Sequence, residues 1–135
     1  AMEWFRLGAA KDNAYSQFKL GRIHAEGNGV AVDYKLAMEW YLKVHNNGHI
    51  MAAQHIGFSY SNGFGVAQDY NLALKWFFMA ANKGYELAQF NLGVLYERGN
   101  GVKIDKQYAL EWYEKSAEQG YEGAKTSVKR LNEQG

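Results

Sequence analysis

A chain of 135 residues is large enough for one domain with its own core and too small for two ordinary ones. Its 47% apolar and 16% aromatic content excludes disorder, and a formal charge of +1 gives no general pull toward nucleic acid or anionic membranes. Zero cysteines exclude disulfide staples and thiolate chemistry, and zero prolines leave long helices uninterrupted.

Self-similarity organises the chain. Trp4, Trp40, Trp76 and Trp112 stand 36 residues apart, and Ala1, Ala37, Ala73 and Ala109 keep the same step three residues earlier. Phe5, Tyr41, Phe77 and Tyr113 follow the tryptophans, and Gly21, Gly57 and Gly93 recur at the same interval. In chain order this predicts residues 1–11 as the second helix of a truncated repeat. Full repeats follow over 12–47, 48–83 and 84–119, then a capping helix within 120–135, all in a single repeat domain.

Each repeat reads as two helices. In the third, Ala88, Leu92 and Tyr96 fall at i, i+4 and i+8, the apolar stripe of a first helix. Gly99 ends it, Gly101 permits a second unusual turn, Val102 folds back, and Asp105 caps the second helix. Ala109, Trp112, Tyr113, Ser116 and Ala117 form the second stripe, and Gly120 stops it. Gly57 and Gly93 lie inside first helices, where glycine costs about 1 kcal/mol. A close helix–helix approach is expected there, with each Trp and its following aromatic buried alongside. The last helix, about 122–133, carries Lys129, Arg130 and Glu133 and reads as a polar cap.

Leu92-Gly93, Tyr96, Gly99-Asn100-Gly101-Val102, Asp105, Ala109 and Trp112-Tyr113 resemble the Sel-one-like repeat, and the resemblance covers nearly the whole chain. The related tetratricopeptide repeat has about 34 residues, lacks the Gly-x-Gly-Val loop and usually carries a proline. The resemblance implies an all-α fold, an alpha-alpha superhelix in which antiparallel hairpins build a right-handed solenoid. It also implies an adaptor or scaffold that binds another protein or peptide. Departures stand at His24, in the place of Tyr60 and Tyr96, and at His45, in the place of Ala81 and Ala117. Asp12 replaces the stop glycine seen at Gly48, Gly84 and Gly120.

Ala1 aligns with Ala37, inside a second helix, so the chain is expected to be a fragment of a longer protein or to be covered over Met2, Phe5 and Leu7. Self-association through that uncapped helix is the corresponding expectation. No signal peptide and no membrane span of about 20 apolar residues is present, and the compartment is left open.

By analogy with tetratricopeptide arrays, the first helices line a concave face, and the partner-binding positions are those outside the shared stripe. They are Tyr15, Phe18, Arg22 and Glu26, then Met51, Gln54, Phe58 and Asn62. Leu87, Phe90, Val94 and Arg98 follow, and Gly123, Thr126 and Arg130 complete the row. Large apolar side chains flanked by arginines fit a peptide groove; the alternative is that neighbouring hairpins cover them. A structural spacer is the alternative function.

Catalytic, cofactor and metal sites are not expected. The Gly-x-Gly loops lack the Lys-Ser/Thr of a phosphate loop and recur as turns. His24, His45, His49 and His55 lack convergent ligands, with His55 expected at the surface near the groove. The serines Ser16, Ser59, Ser61, Ser116 and Ser127 lack a matched base and acid. The resemblance implies a protein or peptide partner, and the near-neutral charge argues against nucleic acid.

Overall fold

The computed structural model describes residues 14–27, 29, 31–46 and 48–134, and every regular element among them is a helix. These are α1 (Ala14–Glu26), α2 (Tyr34–Asn46), α3 (Ala53–Asn62), α4 (Tyr70–Asn82), α5 (Glu86–Arg98), α6 (Lys106–Glu118) and α7 (Glu122–Gln134). The chain forms two compact units, Ala1–Gln68 and Asp69–Gly135. In the first, α1 packs on α2 and α2 on α3; in the second, α4 packs on α5, α5 on α6 and α6 on α7.

Local chemistry sets the helix ends. Asp33, Asp69 and Asp105 each accept, at Oδ1, the backbone N–H three residues on: Leu36 at 3.0 Å, Leu72 at 3.1 Å and Tyr108 at 2.9 Å. That bond satisfies a donor the helix leaves unpaired. Gly99 ends α5 with φ 72° while its N–H donates to the Leu95 carbonyl, a left-handed cap that favours glycine. Gly101 answers a second constraint: it has φ +78°, and a Cβ there would lie 2.7 Å from Cβ of Tyr70.

The core of the second unit forms where α5 and α6 run antiparallel. Gln119 of α6's C-cap donates to Gln89 near the start of α5 at 2.9 Å, and Tyr96 near the end of α5 meets Tyr108 near the start of α6 at 4.6 Å between rings. Ala88, Leu92, Gly93 and Leu95 of α5 are buried, as are Ala109, Trp112, Tyr113 and Ser116 of α6, and Gly93 lies against Tyr113 and Ala109. Buried polar groups are tied in. The Gln89 amide donates to the Ala81 carbonyl at 3.2 Å, and the Ser116 hydroxyl donates to the Glu86 carbonyl at 2.8 Å. In α7, Ala124, Ser127 and Leu131 are buried, and Leu131 joins Ala109 and Tyr113 in one cluster.

The expected burial of the tryptophans needs correction. Trp112 is buried, but Trp40 and Trp76 are only half-buried. The deepest aromatic of each repeat is the one after the Trp: Tyr41, Phe77 and Tyr113 are at most 3% exposed. In the repeats of Tyr41 and Tyr113 that ring faces the glycine of a first helix. The ammonium groups of Lys43 and Lys115 sit 4.9 and 5.1 Å from the ring centroids of Trp40 and Trp112. Trp4, Met2, Phe5, Leu7 and Asp12 lie outside the described residues. Among the described residues, no helix is long and apolar enough to cross a membrane.

Candidate protein-binding surface

In the first unit, α1 presents Tyr15, 58% exposed, with the Lys19 ammonium 5.2 Å over its ring. Phe18, one turn on, points inward, its ring 6.0 Å from Tyr41 and 5.2 Å from His55. Arg22 donates to Glu26 at 3.0 Å, an exposed pair one helical turn apart. Met51 is half-buried just ahead of α3, and Gln54 carries a buried amide oxygen with no hydrogen-bond partner. Phe58 is 47% exposed, and Asn62 donates to the Phe58 carbonyl at 2.9 Å.

In the second unit Leu87 is half-buried and Arg98 is exposed. Phe90 and Val94 pack against the cluster of Ala109, Tyr113 and Leu131, with the Phe90 ring 5.5 Å from Tyr113 and 5.1 Å from Tyr121. These two follow the alternative of covered side chains, because α7 supplies Val128 and Leu131 to the same cluster. Arg130 forks onto Glu97, its Nη2 donating at 2.8 Å, and Glu97 also accepts the Tyr113 hydroxyl at 2.8 Å. The Arg130 bond holds the Glu97 carboxyl below its usual range, with burial opposing and Tyr113 assisting. Gly123 is half-buried with Tyr121 alongside, and exposed Thr126 donates to the Glu122 carbonyl at 3.1 Å.

Around Phe58 the first unit leaves a cavity of about 220 Å³. Ala25 and Glu26 of α1, Tyr34 and Tyr41 of α2, His55, Phe58 and Ser59 of α3, and Phe64 of the following loop line it. The Tyr34 and Phe64 rings stack at 4.5 Å and 12°, and Phe58 meets Phe64 at 5.8 Å. A Cβ on Gly65 would lie 2.5 Å from the Tyr34 carbonyl, so this close approach brings Phe64 beside Tyr34.

His55, expected at the surface, is instead packed between aromatic rings, stacked on Tyr41 at 5.2 Å and 22° and tilted against Phe18. Burial pushes its pKa down to about 4; Arg22 adds to the fall and Glu26 opposes it. Burial pushes the Tyr41 phenol up to about 12, against the pull of Arg22. Both side chains are thus uncharged near neutral pH.

Tyr34, Tyr41, Ser59 and Phe64 were not among the expected binding residues. One signal was available: Phe64 sits between Gly63 and Gly65, where the other two loops carry Asn28 and Asn100. Among the described residues, no group of three or more His, Cys, Asp or Glu converges as a metal site would require.

Capped helix pairs with a shared internal register, packed through a glycine notch, define a helical-hairpin repeat protein. The Sel1 repeat model matches residues 1–13, 14–49, 50–85 and 86–121, and the chain belongs to the Sel1 repeat family. It is similar to a protective antigen of uropathogenic Escherichia coli strains displaying an SLR fold, with 34% identity and a TM-score of 0.90 over 99% of this chain and 29% of that one. A Sel1 repeat protein from Oxalobacter formigenes is 31% identical, with a TM-score of 0.82 over 98% of this chain and 62% of that one. Cysteine-rich protein B of Helicobacter pylori, 17% identical with a TM-score of 0.69, covers 92% of this chain and 94% of that one and shares the fold. The chain therefore spans less than two thirds of the first two structures it matches. No curated protein sequence matches it. The fold class is the all-α solenoid of these neighbours, and Sel1 repeat proteins generally serve as protein-interaction scaffolds.

Proposed function

We propose that this chain is a protein-binding segment of an adaptor or scaffold, engaging a peptide or protein surface through side chains of its first helices. Family membership supports that class of role, and one observation supports the place. Phe58 stands 47% exposed at the mouth of an aromatic-lined cavity, whereas an equally large side chain in the second unit, Phe90, is half-buried in packing. An exposed aromatic beside a preformed cavity is the usual anatomy of a recognition anchor. The proposed surface centres on Tyr15, Phe58 and the cavity walls in the first unit. The role is binding, not catalysis, in keeping with the generally non-catalytic character of the family.

The test is selection of a displayed peptide library on the purified chain, followed by the Phe58→Ala variant. Recovered peptides should bind the parent chain saturably and lose most of their affinity on Phe58→Ala, while the Tm stays close to the parent's. A library that yields no binder, or binders indifferent to Phe58, would overturn this reading.

A further inference from the structure

We propose that the cavity of the first unit receives the guanidinium of an arginine side chain from a partner peptide, seated between its aromatic rings and the Glu26 carboxylate. This assignment rests on the protein-binding reading above and names the guest.

An internal comparison carries it. Counted by repeat, Ala25, Tyr41 and Phe58 of the first unit correspond to Glu97, Tyr113 and Arg130 of the second. In the second unit that place is filled from within: Glu97 accepts the Tyr113 hydroxyl and the fork of Arg130. In the first unit Ala25 has no carboxylate to offer and Phe58 stands at the rim, so the space of about 220 Å³ stays open. The fold thus already seats a guanidinium beside a carboxylate and a tyrosine at this register.

The walls of the open site suit the same group. Glu26, one residue past Ala25, brings a carboxylate to the lining, and Tyr34, Phe58 and Phe64 bring aromatic surface. A guanidinium is planar, stacks on such rings and forks onto a carboxylate. Glu26 already holds the Arg22 guanidinium at 3.0 Å in an exposed pair, an interaction weak enough to exchange. His55 stays neutral and adds no repelling charge to the wall. The volume lies below the roughly 300 Å³ where small-molecule pockets begin, which suits a single side chain.

The experiment is an NMR titration of the whole chain with the tripeptide Ac-Gly-Arg-Gly-amide at millimolar concentration, beside its citrulline and glutamate counterparts. Arginine should shift the amides of Phe58, Ser59 and Phe64 saturably, with citrulline weaker by about tenfold. Glu26→Gln should weaken arginine binding, and Arg22→Ala should tighten it by removing one internal competitor for that carboxylate. Ala25→Glu combined with Phe58→Arg rebuilds the internal plug and should abolish binding while helical circular dichroism and Tm are retained. Equal binding of citrulline would show that the site does not read the guanidinium charge, and preference for glutamate would make it an anion site; either overturns the assignment, as does arginine without saturable shifts. Library peptides that need Phe58 but carry no arginine overturn this assignment alone. A library without Phe58-dependent binders overturns the protein-binding reading itself.

Discussion

The ring of Tyr113 occupies the space that a side chain on Gly93 would need: a Cβ there would meet Tyr113 Cε1 at 2.7 Å and the Ala109 carbonyl oxygen at 3.2 Å. The same relationship holds between Gly21 and Tyr41, at 2.6 Å. Glycine weakens a helix by about 1 kcal/mol, and the close packing of the ring offsets that loss. Gly93→Ala should therefore destabilise the chain by about 1–3 kcal/mol in chemical denaturation, despite alanine's better helix propensity. A gain in stability would mean that the ring yields freely, which its bond to Glu97 argues against.

That bond makes a second prediction. Tyr113→Phe should cost about 1–2 kcal/mol, because Glu97 loses a donor at a half-buried position. The folded Glu97 carboxyl is held below its usual 4.5, so its contribution to stability is full above that range and is lost as pH falls through the folded value. Glu97→Gln should remove this part of the acid sensitivity. An unchanged acid limb of the stability–pH curve would show that the Arg130 pair contributes nothing.

Gly101 and Gly120 share a positive φ, 78° and 92°, but differ in their surroundings. A Cβ on Gly120 meets nothing within 4 Å, so Gly120→Ala should cost only the backbone term of about 1–2 kcal/mol. Gly101→Ala adds contacts at 2.7 Å with Tyr70 Cβ and 3.0 Å with its carbonyl carbon, and should cost clearly more. Equal losses in parallel thermal melts would refute the close approach.

His55 gives the first unit its own pH dependence. Its pKa falls on folding from 6.5 to about 4, so the unfolded chain binds the extra proton between those values. Stability is fully present above pH 6.5 and is lost progressively as pH drops toward 4, by up to about 3 kcal/mol. Arg22 and Glu26 of α1 are the charges that act on the imidazole, and Tyr41 is the ring stacked on it. His55→Phe should flatten denaturation midpoints across that window; a slope that survives the change would assign it to another group.

Phe58 and Phe90 should separate in stability. Phe90→Ala removes a ring packed on Tyr113 and Tyr121 and should cost about 2–3 kcal/mol. Phe58→Ala removes a ring that is 47% exposed and should cost less than about 1 kcal/mol. Comparable losses would place Phe58 in the core and remove it from the proposed binding surface.

Helix caps, stop glycines and the two-helix repeat were readable directly, because each depends on residues only a few positions apart. Asp105 and Tyr108, or Gly99 and Leu95, interact within a single turn wherever the helix goes. The Gly93 notch was also legible, since glycine inside a helix calls for close packing. Which of the two expected rings filled it was not: Tyr113 meets the glycine and Trp112 does not, because side-chain direction around α6, not size, decides.

The binding surface depended on tertiary structure for the same reason. One register of the repeat holds Ala25 in the first unit and Glu97 in the second, and the latter is closed by Arg130, 33 residues away on α7. Nothing local to Phe58, Phe90 or His55 announces which is covered, because exposure depends on what the neighbouring helix presents. By itself, then, the sequence determined the repeat, its caps and its fold class, through short-range hydrogen bonding and backbone geometry. Only the packed helices decided which apolar side chains became core and where an open aromatic cavity remained.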